Sequence, residues 1–146
     1  MAKKQLIRDV MTASPRTVAE NDNIRDAASI MASEDIGVVP VVNGNRVIGL
    51  ITDRDIVVRA VAAGKDCSTT RVADAMTRNV RTVREDAPID QVLQLMSNAQ
   101  VRRIPVVGAN DELVGIVSIG DLATETNKDD KVGQAIETIS SAPANN

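Results

Sequence analysis

The apolar positions change their period several times along the chain, and each change marks an element. Over residues 23–33, Ile24, Ala27, Ala28 and Met31 recur at helical spacing and predict a one-faced helix, with Asp22 or Asn23 as its cap. Residues 38–42 and 47–52 are nearly continuous aliphatic runs around the polar turn Asn43-Gly44-Asn45-Arg46, which predicts two adjacent strands. A second helix is predicted over 53–63, ending at Gly64, whose missing Cβ suits a left-handed C-cap. Ahead of these lie a short amphipathic piece at 6–11 and a short extended segment through Thr17 and Val18.

The whole series then returns. Asp9-Val10-Met11-Thr12 recurs 65 positions later as Asp74-Ala75-Met76-Thr77, Arg16-Thr17-Val18 as Arg81-Thr82-Val83, and Pro40-Val41-Val42 as Pro105-Val106-Val107. One residue inserted in the second turn moves the offset to 66, so that Gly49 matches Gly115, Thr52 matches Ser118 and Asp55 matches Asp121. The second copy predicts an amphipathic piece at 72–76, a helix over 87–98, strands at 103–107 and 113–118, and a shorter helix over 120–126. Pro88 falls in the first turn of the 87–98 helix, where a missing N–H costs nothing, and Ile89, Val92, Leu93 and Met96 form its buried stripe. A repeat of this size signals duplication. Either copy alone exposes one side of a small sheet, so an α/β (α+β) fold is expected in which two units stack as a pseudo-twofold pair. The first unit spans 7–64, a linker 65–71, the second unit 72–126, a docking helix 131–140 and a frayed tail 141–146.

Composition narrows the chemistry. The 146 residues include no Phe, Tyr, Trp or His and a single cysteine, Cys67. Zinc, iron or copper sites built on Cys and His are excluded, as are an intrachain disulfide and any catalytic triad or dyad using His. No active site is expected and no metal is assigned, with a purely carboxylate Mg²⁺ site left open. Cys67 sits in the polar stretch Gly64-Lys65-Asp66-Cys67-Ser68, where a solvent-facing loop residue and an intermolecular or redox thiol are the two readings. The 17 basic residues are dispersed among 20 acidic ones for a net charge of −3, which does not describe a nucleic-acid surface. With neither a signal-peptide pattern nor an 18-residue apolar run, the expected location is the cytoplasm, away from the membrane.

The candidate chemistry lies where the second long strand meets the next helix, at Thr52-Asp53-Arg54-Asp55 and Ser118-Ile119-Gly120-Asp121. A helix start offers N–H groups to phosphate, Thr52 or Ser118 adds a hydroxyl, and Asp55 or Asp121 can accept hydrogen bonds from ribose hydroxyls. The same spacing is also close to a capping box, and the two roles can coexist. Arg54 and Arg103 suit either a phosphate or a salt bridge. Gly49 and Gly115 permit close backbone approach, or simply pack.

In these segments the chain resembles a tandem pair of cystathionine-β-synthase-type (CBS) motifs, or Bateman module, of the stand-alone class. The matching pieces are Val10-Met11-Thr12 with Thr17-Val18, Gly37 to Val42 and Gly49 to Asp55, then Ala75-Met76-Thr77, Thr82-Val83, Val101 to Val107 and Gly115 to Asp121. The resemblance implies two β-α-β-β-α motifs and a cleft between them that takes an adenosine-containing ligand. It places ribose on Asp55 and Asp121, phosphate on Thr52 and Ser118, and the base near Thr17, Val18 and Val39 in one copy and Thr82, Val83 and Ile104 in the other. It implies a non-catalytic regulatory module with no required cofactor, whose candidate ligands are AMP, ADP, ATP, NAD and S-adenosylmethionine, and whose regulated protein is unidentified. The alternative is a structural or protein-interaction module without a small-molecule ligand. Homodimers are common in the family, and Ile56, Val57, Ala60 and Val61, with Leu122 and Ala123, supply the apolar surface expected for one.

Overall fold

A computed structural model describes residues 5–125. In chain order it contains strands β1 (Thr12–Ala13) and β2 (Val18–Ala19), helix α1 (Ile24–Glu34), strands β3 (Val38–Asn43) and β4 (Arg46–Thr52), and helix α2 (Asp53–Ile56). Then follow β5 (Thr77–Arg78), β6 (Val83–Arg84), α3 (Ile89–Ala99), β7 (Arg103–Val107), β8 (Leu113–Ser118) and α4 (Ile119–Glu125). The fold is mixed α+β with two four-stranded sheets, and the described residues divide into two compact units, 15–80 and 5–14 with 81–125. The proposed docking helix and tail, 131–146, lie outside the described residues, as does residue 126.

In the contiguous unit, Pro15–Val80, the sheet order is β2-β3-β4-β5, with β2 parallel to β3 and the other pairs antiparallel. Both predicted long strands form, and their inward side chains, Val39, Val41 and Ile51, are wholly buried against Ile24 and Ala27 of α1. Each such aliphatic side chain contributes about 1.5–3 kcal/mol on burial. Asn23 caps α1: its Oδ1 accepts from the Asp26 N–H at 3.0 Å. Residues 65–71, expected as a linker, complete that helix start, because the Ile24 and Arg25 N–H groups donate to the carbonyls of Thr70 (2.9 Å) and Cys67 (3.0 Å). Cys67 is half-buried and packs against the core, so it is not the solvent-facing loop residue expected. In the same segment the Ser68 hydroxyl (2.6 Å) and then its N–H (2.9 Å) bind Asp66 Oδ1 and hold that carboxyl below the ordinary carboxylate range.

The helix predicted over 53–63 also forms, with one departure. After α2 the hydrogen bonding widens to a π-turn over Val57–Val61, in which the Ala62 N–H reaches the Val57 carbonyl at 2.8 Å. Gly64 then takes φ +75, as a left-handed C-cap requires. The extra residue per turn points Ile56 and Ala60 into the core and leaves Val57, Val58 and Val61 about half exposed.

In the other unit the sheet order is β1-β8-β7-β6, again with one parallel pair, β6 with β7. Strands β7 and β8 have the predicted bounds, and Ile89, Val92, Leu93 and Met96 of α3 form the buried stripe. Pro88 stands one position earlier than expected, as the N-cap of α3. The two units are not the two repeats. The leading piece of the first repeat joins the second repeat's sheet, with the Ile7 N–H on the Ala87 carbonyl (2.8 Å) and Thr12 opposite Ile116. In return the leading piece of the second repeat joins the first repeat's sheet, with the Val72 N–H on the Asp22 carbonyl (2.7 Å) and Thr77 opposite Leu50. No helix among the described residues is long and apolar enough to cross a membrane.

Candidate functional site

Strands β4 and β8 each end on a hydroxyl residue that caps the next helix. At the first junction the Asp55 N–H donates to Thr52 Oγ1 at 3.0 Å, and the Thr52 N–H donates to Asp55 Oδ2 at 3.0 Å. At the second, the Asp121 N–H donates to Ser118 Oγ at 3.1 Å, and the Ser118 N–H to Asp121 Oδ2 at 2.9 Å. Two reciprocal capping boxes are thus formed by the residues singled out in the sequence.

That geometry changes what each junction can offer. The Asp53 N–H is taken by the Gly37 carbonyl (3.0 Å), the Arg54 N–H by Asp53 Oδ1 (2.8 Å) and the Asp55 N–H by Thr52. The N–H groups expected to receive phosphate at the first junction are therefore occupied. The hydroxyls remain useful, because a Thr or Ser oxygen that accepts one hydrogen bond keeps its own proton to donate.

The arginines are arranged differently in the two units. Arg103 lies directly opposite Ser118 across the β7–β8 pair, so guanidinium stem and hydroxyl share one face of the sheet. The corresponding position opposite Thr52 is Val38, while Arg54 is exposed on α2 with no ion pair among the described residues. Of the predicted base-enclosing residues, Val39 and Ile104 are wholly buried core, Val18 and Val83 nearly so, and Thr17 and Thr82 are exposed. Gly49 and Gly115 serve packing: a Cβ on Gly49 would collide with Met76 Cε and the Thr77 carbonyl oxygen, and one on Gly115 would lie 2.9 Å from the Thr12 carbonyl oxygen.

Two polar residues at the first junction escaped the sequence reading. Asp55 is buried, and besides Thr52 it accepts from the Thr77 hydroxyl, which stands 3.3 Å from both carboxylate oxygens. Arg59 places Nε 3.9 Å from Asp55 Oδ1 and donates through its terminal nitrogen to the carbonyls of Ala75 (3.2 Å) and Met76 (2.8 Å). Arg59 was legible as an i,i+4 partner of Asp55, whereas Thr77, 22 positions away, had no local signal. Among the described residues no three His, Cys, Asp or Glu side chains are grouped to hold a metal ion.

The sequence model of the CBS domain matches residues 7–61 and again residues 72–128. This chain belongs to the CBS domain family. It is 41% identical over 136 residues to the uncharacterized protein YlbB of Bacillus subtilis, covering 92% of this chain and 90% of that one. Among solved CBS structures, Hypoxic Response Protein I with two coordinated zinc ions is 36% identical, with a TM-score of 0.75 over 84% of this chain and 99% of its own. The CBS domain pair of protein MJ0100, in complex with 5′-methylthioadenosine and S-adenosyl-L-methionine, is 33% identical with a TM-score of 0.74, covering 84% of this chain and 95% of that pair. The stand-alone CBS relatives give the tandem repeat a precedent as a complete folded module.

Proposed function

We propose that this chain is a non-catalytic sensor or regulatory module that binds an adenosine-containing ligand through its two strand-to-helix junctions. The observation that carries the reading is the hydroxyl–carboxylate pair formed twice, Thr52 with Asp55 and Ser118 with Asp121. Support comes from the MJ0100 CBS pair, a one-third-identical relative in complex with two adenosine compounds. Thr52 and Ser118 donate to the ligand's phosphate or its equivalent, Asp55 and Asp121 accept from the ribose, and Arg54 and Arg103 neutralise charge. Thr17 and Thr82, the exposed members of the two base-side sets, form the edges nearest the base, with Val18 and Val39, and Val83 and Ile104, buried behind them. AMP, ADP and ATP are the leading candidates, with NAD and S-adenosylmethionine behind them.

A thermal-melt panel of these five compounds at millimolar concentration tests this directly. A ligand present at 100 times its Kd adds about 2.7 kcal/mol to native stability and raises the midpoint by several degrees. An unmoved midpoint with all five would reject the reading in favour of an interaction module, for which the capping boxes alone already account.

Val57, Val58 and Val61, 56%, 49% and 56% exposed on one short helical stretch, carry the further proposal that the protein is a homodimer. Leu122, included in the sequence-derived patch, is fully buried and does not contribute; Ala123 is exposed. Sedimentation equilibrium is expected to give twice the chain mass at micromolar concentration, and Val58→Asp to return it to the chain mass with the fold intact. A wild-type protein at the chain mass throughout the concentration range would remove the dimer.

A further inference from the structure

We propose that the Thr77 hydroxyl is a built-in competitor for the Asp55 carboxylate, held in place through Arg59, so that the first junction binds a ligand only by displacing it. The inference rests on the reading of Asp55 as the acceptor of ligand hydroxyls. A ribose diol would bridge the two oxygens of that carboxylate, and the bridging position is already filled, since Thr77 Oγ1 is 3.3 Å from each. The remaining direction at Oδ2 is used by the Thr52 N–H at 3.0 Å. With its side chain only 5% exposed, Asp55 has no second open side from which a diol could approach.

Thr77 is not there by chance of rotamer. It lies on β5, a two-residue edge strand paired to β4 through Gly49 opposite Arg78 and Leu50 opposite Thr77. The absent Cβ of Gly49 lets the Thr77 backbone come in close. Arg59 fixes the two residues just before it by donating to the Ala75 and Met76 carbonyls, while its Nε faces Asp55. One guanidinium therefore ties the carboxylate and its competitor together. Releasing Thr77 to a ligand removes one anchor of β5, three residues before the chain leaves this unit at Val80. The other copy has a threonine, Thr12, at the position corresponding to Thr77, but the position corresponding to Arg59 is Glu125, which has no side-chain N–H to donate to a carbonyl. The arginine that ties competitor to carboxylate thus belongs to the Asp55 junction.

AMP titrated calorimetrically into the full chain carrying Asp121→Ala isolates the Asp55 site. Adding Thr77→Val, which keeps the shape and removes the hydroxyl, is expected to tighten AMP binding about fivefold to tenfold while lowering the ligand-free melting midpoint. Thr77→Ser, which restores the hydroxyl, is expected to return both values. The same series with Asp121 intact, read from the weaker binding step, serves if the double variant does not fold. A structural role alone predicts a lower midpoint with unchanged or weaker affinity. That result, with AMP still bound by the wild-type chain, would overturn the competitor and leave the nucleotide reading standing; absence of AMP binding in the wild type and every variant would overturn both.

Discussion

Gly49→Val is expected to destabilise the protein by about 3 kcal/mol, lowering the melting midpoint by about 10 °C. Any Cβ at this position runs into Met76 Cε and the Thr77 carbonyl oxygen. The methionine end is flexible and can move, but the carbonyl belongs to β5 and shifts only if the β4–β5 pairing opens. The cost is then the lost pairing and the loosened Thr77 contact to Asp55 together. Gly44→Ala provides the contrast. Gly44 has φ +65 with nothing within 4 Å of an added Cβ, so its penalty is conformational alone, about 1 kcal/mol. Urea unfolding of the two variants beside wild type separates crowding from backbone strain. A Gly49→Val protein that unfolds within a few tenths of a kcal/mol of wild type would show that β5 is not held where the geometry puts it.

The second large effect is on binding. Asp121→Ala and Asp55→Ala are each expected to weaken AMP at their own junction about tenfold to a hundredfold, the range for losing a hydrogen bond to a charged acceptor. Asp121→Ala removes a capping carboxylate, at about 0.5–2 kcal/mol. Asp55→Ala removes a cap of the same kind and also takes the acceptor from the half-buried Thr77 hydroxyl and the Arg59 guanidinium, so it should lie at the top of that range or above it. Titration calorimetry gives the first quantity and urea midpoints the second. If both variants unfold more easily yet bind AMP as the wild type does, the carboxylates are helix caps and nothing more.

How much of this was legible depended on how local the cause was. The capping boxes are contacts between residues three apart, and the spacing of Thr52 to Asp55 and Ser118 to Asp121 offered them as one of two readings that can coexist. Strands β7 and β8 matched because β-branched runs bounded by a polar turn leave little choice of register. The N-cap of α1 was narrowed to two residues, and Asn23 took the role while Asp22 Oδ2 accepts from the Ala19 N–H at 2.8 Å instead. What could not be read was pairing across distance. Residues 7–13 and 72–78 share the same Asp, Met and Thr spacing, which does not say which sheet either completes, and each joins the sheet of the other repeat. Likewise Leu122 looked like surface in a short helix, yet it is fully buried in the core of its unit. The π-turn at Val57–Val61 has no residue signature in the run Val-Val-Arg-Ala-Val, and it carries the three valines left half exposed.

The pairing of Thr12 with Ile116 has a consequence for how the chain matures as it is synthesised. Residues 15–80 have every strand of their sheet within one continuous stretch, so that unit can close while the remainder is still being translated. Strand β1 cannot pair until its neighbour β8, about a hundred residues further on, has been made. Holding that loop closed costs little more entropy than a loop half as long, yet the closure must wait on the ribosome. The N-terminal segment thus completes the unit that it forms with residues 81–125. Shortening it before Ser14 should damage the unit formed by residues 81–125, far along the sequence, and spare the unit that begins at the very next residue, Pro15.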